Sequence, residues 1–228
     1  MSDVLSVLAS HGLDEEGLVS FSPENLLLRP SVISALALLR KSASLAGFEI
    51  RVESAYRSFD RQLSIWNRKA NRELPLLDKT GALITRAIDD PEELMHTILI
   101  WSALPGASRH HFGTEIDIVD ASVIPLDYEV QLTPEECNGI FKSFHDWLSL
   151  EIALGRSFDF DRVFIPGRGL IRPELWHLSH LPSARALQER FDLELLKTLY
   201  AKTDIACKEV LLSQLDYLAK DYIYPYFL

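Results

Sequence analysis

Cysteine is scarce in this sequence, which contains only Cys137 and Cys207 among 228 residues. Two cysteines cannot build the disulfide framework of a small secreted domain, and these two are not spaced as a metal-binding motif. We therefore expect reduced thiols packed in the core. A chain of this length with 47% hydrophobic residues can fill such a core without covalent cross-links.

Positive charge is also in short supply, since 23 lysines and arginines stand against 33 aspartates and glutamates. The formal net charge is -10 at pH 7, and the isoelectric point is near 5.2. Nucleic acids and anionic membranes both attract basic surfaces, so this balance argues against either as a partner.

Long apolar runs are missing as well. No stretch has the length of about 20 apolar residues that spans a bilayer. The first twenty residues carry Asp3, Asp14, Glu15 and Glu16 and lack the apolar segment of a secretory signal. The sequence thus predicts no membrane insertion and a cytoplasmic location.

Neither an internal repeat nor a low-complexity linker divides the chain, so we expect one domain over residues 1–228. It should include an N-terminal helical extension over about 1–45 and a C-terminal helical pair over about 183–220. The predicted fold class is α+β, a small and mainly antiparallel sheet surrounded by helices. The oligomeric state is left open.

Local patterns predict the elements of this fold. Alternation of apolar and polar residues indicates strands at 48–54 and 114–119, and a third strand is expected over Phe158–Ile165. Capping signals and helical periodicity indicate four helix starts, at Ser22–Pro23, after Ser58, at Asp90–Pro91 and at Thr133–Pro134. Two further helices are expected over Ser183–Tyr200 and Asp204–Lys220. The first is expected to end near Ala46 and the one from Thr133 near Leu154. Residues 74–90 are irregular and are the expected place for a lid.

The stretch Leu104–Asp120 holds the densest group of chemically active residues. His110 and Asp117 are natural zinc ligands, and Gly113 between them permits a turn that brings both to one ion. The alternation from Thr114 onward predicts that Asp117 points away from the apolar face of its strand. A catalytic zinc has three protein ligands, and the best third candidate is His177 in the segment P-E-L-W-H.

Three blocks of sequence, in order over more than half of the chain, match the pattern of one family. The first block, Ser54–Gln62, reads S-A-Y-R-S-F-D-R-Q and is similar to the family's S-G-Y-R-S-x-x-x-Q. The second, Ser108–Asp117, reads S-R-H-H-F-G-T-E-I-D and is similar to S-x-H-x-x-G-x-A-x-D. The third, Glu174–His177, reads E-L-W-H and is similar to E-x-W-H. The chain therefore resembles the zinc D-Ala-D-Ala carboxypeptidases and dipeptidases, relatives of lysostaphin and of the hedgehog amino-terminal domain.

The resemblance implies a role for each motif residue. His110, Asp117 and His177 would hold Zn²⁺, Glu174 would be the general base, and Arg57 would stabilise the developing oxyanion. Ser108 and Gln62 would contact the substrate. Tyr56 beside Arg57, Trp176 beside a ligand, and Glu115 are further candidates for substrate contacts.

Two residues depart from the family pattern: Glu115 stands where many members have alanine, and Leu178 where many have an aromatic residue. Glu115 could equally pair with an arginine in a buried network. We expect His111 to pack or hydrogen-bond near the site, and His180 to be at most an alternative ligand.

The spacing of Glu174 and His177 adds a structural constraint. Residues three apart on a regular strand face opposite ways, so Glu174 must lie on a bend if the two share a site. Pro173 just before it makes an irregular backbone plausible.

The resemblance implies a zinc peptidase that acts on D-amino-acid-containing peptides of peptidoglycan type, first of all a D-alanyl-D-alanine carboxypeptidase. A peptidoglycan-derived peptide or the D-Ala-D-Ala dipeptide would be its partner. A D,D-dipeptidase, an L,D-carboxypeptidase and a phage-lysin-like endopeptidase are the enzyme alternatives, and a non-catalytic zinc binding module is the alternative of another class. Because wall substrates lie outside the cytoplasm, release to the wall by another route is a further alternative.

Overall fold

The structure, a computed structural model, describes residues 6–228. A hairpin of β1 (Val19–Phe21) and β2 (Leu26–Leu28) precedes the main sheet. The main sheet consists of β3 (Ile50–Ser54), β4 (Glu115–Asp120), β5 (Phe160–Asp161) and β6 (His177–His180). Its four strands are antiparallel in the order β3-β4-β6-β5. The small antiparallel sheet predicted from the sequence is thereby confirmed.

Eight α-helices of the described residues surround the sheet. They are α1 (Pro30–Leu45), α2 (Phe59–Ala70), α3 (Pro91–Leu99), α4 (Pro134–Asn138), α5 (Lys142–Ala153), α6 (Leu181–Gln188), α7 (Leu193–Lys202) and α8 (Lys208–Tyr222). Within residues 6–228, none of these helices combines the length and the apolar character needed to cross a membrane.

Two apolar cores support the site from different sides. One joins the sheet to α1 and α5, and it contains Ile116 and Ile118 of β4, both fully buried. The other joins α2, α3, α7 and α8 around Trp66 and Met95. Asp117, between the two isoleucines of β4, lies on the opposite face of the strand, as the alternation predicted.

Three helix starts agree with the capping signals. The side chain of Ser58 accepts a hydrogen bond from the backbone N–H of Arg61, and that of Asp90 accepts from Glu92 and Glu93. Thr133 forms a complete capping box with Glu136. These side chains satisfy backbone donors that the first helical turn leaves free.

The predicted helix start at Ser22–Pro23 is wrong. These residues lie in the turn of the β1–β2 hairpin, because the following leucines pair as a strand with Val19–Phe21. The helix begins at Pro30, a second proline that occupies the first helical turn. The predicted N-terminal extension is therefore helical mainly from Pro30 onward, and its residues 1–5 lie outside the described residues.

Three other predicted boundaries need correction. The helix expected from Thr133 to Leu154 breaks into α4 and α5, because Gly139 leaves the helical conformation. The helix expected over Ser183–Tyr200 divides into α6 and α7, since Asp192 caps a new start. The strand expected over Phe158–Ile165 retains only Phe160–Asp161, preceded by two residues with positive φ.

Candidate active site

Strand pairing places two of the predicted metal ligands side by side. Asp117 of β4 lies opposite His177 of β6 in the register, and Asp117 Oδ1 is 3.0 Å from His177 Nδ1. His110 reaches the same place from a 3₁₀ turn, Arg109–Phe112, which ends at Gly113 with φ 66°. His110 Nε2 is 3.2 Å from Asp117 Oδ2. One ligand atom from each of the three residues lies within 4.8 Å of the others, so the set could hold a metal ion.

The outer ring nitrogens of both histidines are also engaged. The distance from His110 Nδ1 to the carbonyl oxygen of Ala55 is 2.7 Å, and from His177 Nε2 to Glu115 Oε2 it is 2.8 Å. Each acceptor favours a proton on the outer nitrogen, so the inner nitrogen, which faces Asp117, is the atom available to a metal ion. This donor set, two imidazoles and a carboxylate, fits zinc.

The charges at the site favour a cation. Burial alone would lower the pKa of His177, but its hydrogen bonds to Asp117 and Glu115 raise it to about 9. Burial would raise the pKa of Asp117, but His110 and His177 lower it well below its usual range. Asp117 is thus ionised, and in the absence of a metal His177 carries the positive charge that a bound cation would supply in its place.

Glu174 lies on the predicted bend. Its backbone N–H donates to the carbonyl oxygen of Phe164, and its own carbonyl accepts from the N–H of His177 in a turn before β6. Glu174 Oε2 is 3.9 Å from His177 Nδ1. Burial raises the pKa of Glu174 to about 7, in opposition to the charge of His177. A carboxyl with this pKa beside the ligand set is suited to proton transfer near neutral pH.

Arg57 follows β3 and is held by the site's own backbone. Its N–H donates to the carbonyl oxygen of His110, and its guanidinium donates to Gln62 Oε1 at 2.8 Å and to Ser54 Oγ at 3.1 Å. Burial lowers the pKa of Arg57, whereas the charges of Asp117 and Glu174 raise it. A fixed cation near these two carboxylates can meet negative charge that develops on a substrate.

An open cavity of about 570 Å³ exposes these groups to solvent. Its wall contains Arg57, His110, Asp117 and Glu174. The irregular segment predicted as a lid contributes four further residues, Leu74, Pro75, Leu77 and Gly81. Lys69 and Ser102 also line the cavity, although neither stands out in the sequence.

The sequence model of the VanY family, described as D-alanyl-D-alanine carboxypeptidase, matches residues 25–183, a range that contains all three motif blocks. The chain belongs to this family. It is therefore an enzyme of a peptidase family, as the resemblance implied. An uncharacterized protein of Haemophilus influenzae is 32% identical over 124 residues, which make up 53% of this chain and 92% of that protein.

Solved structures of VanY proteins share the fold. VanYB in complex with D-alanine-D-alanine gives a TM-score of 0.52 at 18% identity and covers 82% of this chain and 88% of the other. A mutant of the vancomycin-resistance D,D-pentapeptidase VanY in complex with Zn(II) gives 0.51 at 18% identity, over 85% and 88% of the two chains.

The predicted substrate contacts of this VanY-family chain separate into two groups. Ser108 and Trp176 line the cavity, so both are placed to meet a ligand. Tyr56 and Gln62 do not belong to that wall. The Tyr56 hydroxyl donates to the carbonyl oxygen of Gly12, and the buried amide of Gln62 binds Arg57 and the carbonyl oxygen of Ala103. Gln62 is thus placed to orient Arg57, and its contact with the substrate stays a prediction.

Glu115 pairs with an arginine in a buried network, which is one of the two roles expected from the sequence. It is 0% exposed, and Arg109 Nη2 donates to its Oε1 at 2.9 Å. Ser179 donates to the same oxygen, and the other oxygen binds His177. A substrate amine has no access to a side chain so enclosed, because the carboxylate lies behind the ligand set and outside the cavity wall.

The remaining histidines and cysteines lie outside the ligand set. His111 Nδ1 lies 2.6 Å from the carbonyl oxygen of Arg57, and its Nε2 accepts from the N–H of Gly106, so it braces the turn. His180 Nδ1 binds Ser183 Oγ. Cys137 is a buried free thiol, and Cys207 is a half-buried one.

Proposed function

We propose that this chain is a zinc-dependent D,D-carboxypeptidase that removes the terminal D-alanine from peptidoglycan-type peptides. The observation that carries the proposal is the convergence of His110, Asp117 and His177 beside an open cavity, which His110, Asp117 and Glu174 line. Three protein ligands with an open side are the mark of a catalytic rather than a structural zinc site. Membership of the VanY family supports the choice of substrate.

Bound at these three residues, zinc would lower the pKa of a water molecule to about 7 and polarise the scissile carbonyl. Glu174 would accept the proton of the attacking water and later deliver it to the leaving amine of D-alanine. Arg57, fixed by Gln62 and Ser54, would neutralise the negative charge on the substrate oxygen. Ser108 and Trp176 would contact the peptide from the cavity wall.

A D,D-dipeptidase, an L,D-carboxypeptidase and an endopeptidase would use the same catalytic groups. Mass spectrometry of the products formed from a peptide panel separates them. The panel contains a pentapeptide ending in D-Ala-D-Ala, a tetrapeptide ending in diaminopimelate-D-Ala, a cross-linked peptide and the free dipeptide. We expect loss of one D-alanine from the first and little change in the others. Preferential cleavage of another member would identify the corresponding activity in its place.

A zinc binding module has no need of a base at Glu174, and mutation tests this difference. Glu174→Gln retains the shape and can still hydrogen-bond, but it cannot accept a proton. We expect turnover to fall by roughly 10²–10⁴-fold, with zinc content and melting temperature close to those of the wild type. Zinc is measured by elemental analysis and D-alanine release by an enzyme-coupled assay.

The matched control is Glu189→Gln, the same exchange at an exposed glutamate that follows α6. It should leave both zinc content and turnover unchanged. Full activity of Glu174→Gln would overturn the assigned mechanism, and loss of zinc from that variant would make Glu174 a ligand.

A further inference from the structure

The cavity wall contains a lysine that the proposed reaction does not use. Lys69 is the penultimate residue of α2, and its Nζ donates to Ser102 Oγ at 2.5 Å. Ser102 lies just beyond α3 and is only 9% exposed. Both side chains belong to the wall that also contains Arg57 and Glu174. A half-buried stem and one fixed hydrogen bond thus hold the Lys69 ammonium at the cavity surface.

The charge of Lys69 has no close counter-ion in the part of the chain that the structure describes. Across residues 6–228, Lys69 forms no ion pair, whereas Arg109 is paired with Glu115 and Arg162 donates to the carbonyl oxygens of Leu175 and His145. Burial lowers the pKa of Lys69 to about 8, while the charge of Glu174 raises it. The ammonium is therefore mainly protonated at neutral pH, and an anion that enters the cavity would compensate its partial desolvation.

A carboxypeptidase substrate brings such an anion into the cavity. The scissile bond precedes the last residue, and neighbouring Cα atoms are about 3.8 Å apart, so the terminal carboxylate enters the same cavity as the reacting carbonyl. Arg57 is engaged by Gln62 and Ser54 and lies under the charges of Asp117 and Glu174. Arg109, which also lines the cavity, is paired with Glu115, so Lys69 is the cation of the wall that remains to bind a second negative group.

We infer that Lys69, positioned by Ser102, binds the C-terminal carboxylate of the peptide and makes the enzyme select substrates with a free C-terminus. This inference rests on the proposed function and adds a specificity-determining residue to it. An endopeptidase substrate continues beyond the scissile bond as an amide, which offers no charge at that position. Lys69 would therefore separate removal of a terminal residue from cleavage within a chain.

The test compares two substrates that differ in one group: a peptide ending in D-Ala-D-Ala as the free acid, and the same peptide with a C-terminal amide. Rates are measured for the zinc-loaded wild type, Lys69→Met and Ser102→Ala. Methionine retains most of the apolar stem and removes the charge. The control is Lys202→Met, the same exchange at an exposed lysine at the end of α7.

We expect the wild type to prefer the free acid. Lys69→Met should lower kcat/KM for the acid by about 10–100-fold, the range for a lost hydrogen bond to a charged group, mainly through a higher KM. The rate on the amide and the zinc content should stay near wild-type values. Ser102→Ala should show a smaller change in the same direction, and Lys202→Met none.

Three outcomes would overturn the inference, and they differ from one another. Equal losses of kcat/KM in Lys69→Met on the free-acid and the amide peptide would mean that Lys69 acts on Glu174 and not on the substrate terminus. A wild type without preference would show that the carboxylate is not recognised. Hydrolysis of neither substrate by the wild type would reject the proposed function itself, and the role of Lys69 with it.

Discussion

Glu115 has both of its carboxylate oxygens engaged by protein groups. Arg109 and Ser179 bind one oxygen, and His177 binds the other. Burial would raise the pKa of Glu115, but the charge of Arg109 and the hydrogen bond from His177 lower it to about 2. The carboxylate is therefore ionised, and it can hold the proton of His177 on the nitrogen that faces away from Asp117. In the family pattern alanine often occupies this position, so the contact distinguishes this chain.

Glu115→Gln tests whether this contact supports metal binding. The amide keeps the shape, but it no longer attracts the His177 proton or balances Arg109. We expect zinc affinity to fall by roughly 10–100-fold, the usual effect of losing a group that orients a ligand. Competition with a chromophoric chelator measures that affinity.

Glu151→Gln is the matched control, because Glu151 of α5 is also a buried glutamate paired with an arginine, Arg156, and it does not line the cavity. It should leave zinc affinity unchanged. If Glu115→Gln lowers the melting temperature but binds zinc as tightly as the wild type, Glu115 serves only to pair Arg109.

At the scale of elements, the site depends on one turn. The 3₁₀ turn that carries His110 must pass directly into β4, which carries Asp117, and Gly113 makes this junction at φ 66°. The left-handed region costs other residues about 1–2 kcal/mol. A Cβ at Gly113 would also lie 2.3 Å from Leu18 Cδ2, so the Leu18 side chain would have to shift.

Gly113→Ala should therefore reduce both stability and metal binding. Gly155→Ala is its control, since Gly155 has the same φ of 66° and a Cβ there would meet nothing within 4 Å. We expect each variant to lose about 1–2 kcal/mol of unfolding free energy from backbone strain, and Gly113→Ala somewhat more. Only Gly113→Ala should bind zinc more weakly. Equal zinc affinities in the two variants would show that the turn tolerates alanine without moving His110.

Elements with a local chemical cause could be predicted from the sequence. Ser58, Asp90 and Thr133 each cap a helix with their own side chain, and the predicted helix start was correct at all three, although the helix from Thr133 ends at Asn138. Ser22–Pro23 has the same local pattern, but its neighbours pair across a hairpin. Ser22–Pro23 differs from the three correct helix starts because Val19–Phe21 pairs with Leu26–Leu28. A capping rule considers only the residues next to the cap and does not include such a pairing.

At the scale of the whole molecule, the cavity wall combines residues of the sheet and its turns with residues of the helical part. Asp117 and His177 are carried by the sheet and His110 by the turn before β4, whereas Lys69 and Ser102 come from α2 and the residues after α3. The motif residues were recognisable because their spacing is fixed by strands and turns. Lys69 was not recognisable, because a lysine near the end of an amphipathic helix is usually exposed to solvent. Only the packing of α2 beside α3 shows that its side chain faces the cavity.

Burial of His145 in the folded protein makes stability sensitive to acid. His145 of α5 is 2% exposed, and its Nε2 lies 3.2 Å from Cys137 Sγ. Burial, and secondly the charge of Arg162, lower the pKa of His145 to about 3 from the ordinary 6.5. Unfolding restores the ordinary value. Below pH 6.5 the unfolded chain therefore binds a proton that the folded chain does not, and stability falls as the pH falls toward 3.

One such group lowers the free energy of unfolding by about 1.4 kcal/mol for each pH unit in that window. His145→Gln cannot take up the proton, so its stability should decline less steeply than that of the wild type, by about that slope, between about pH 6 and 4.5. Above about pH 7.5 the two slopes should coincide, which serves as the internal control. Urea unfolding of both proteins in the presence of a chelator measures the slopes without a contribution from metal release. Parallel curves below pH 6 would show that His145 is protonated in the folded protein, and that the acid sensitivity arises from other buried groups.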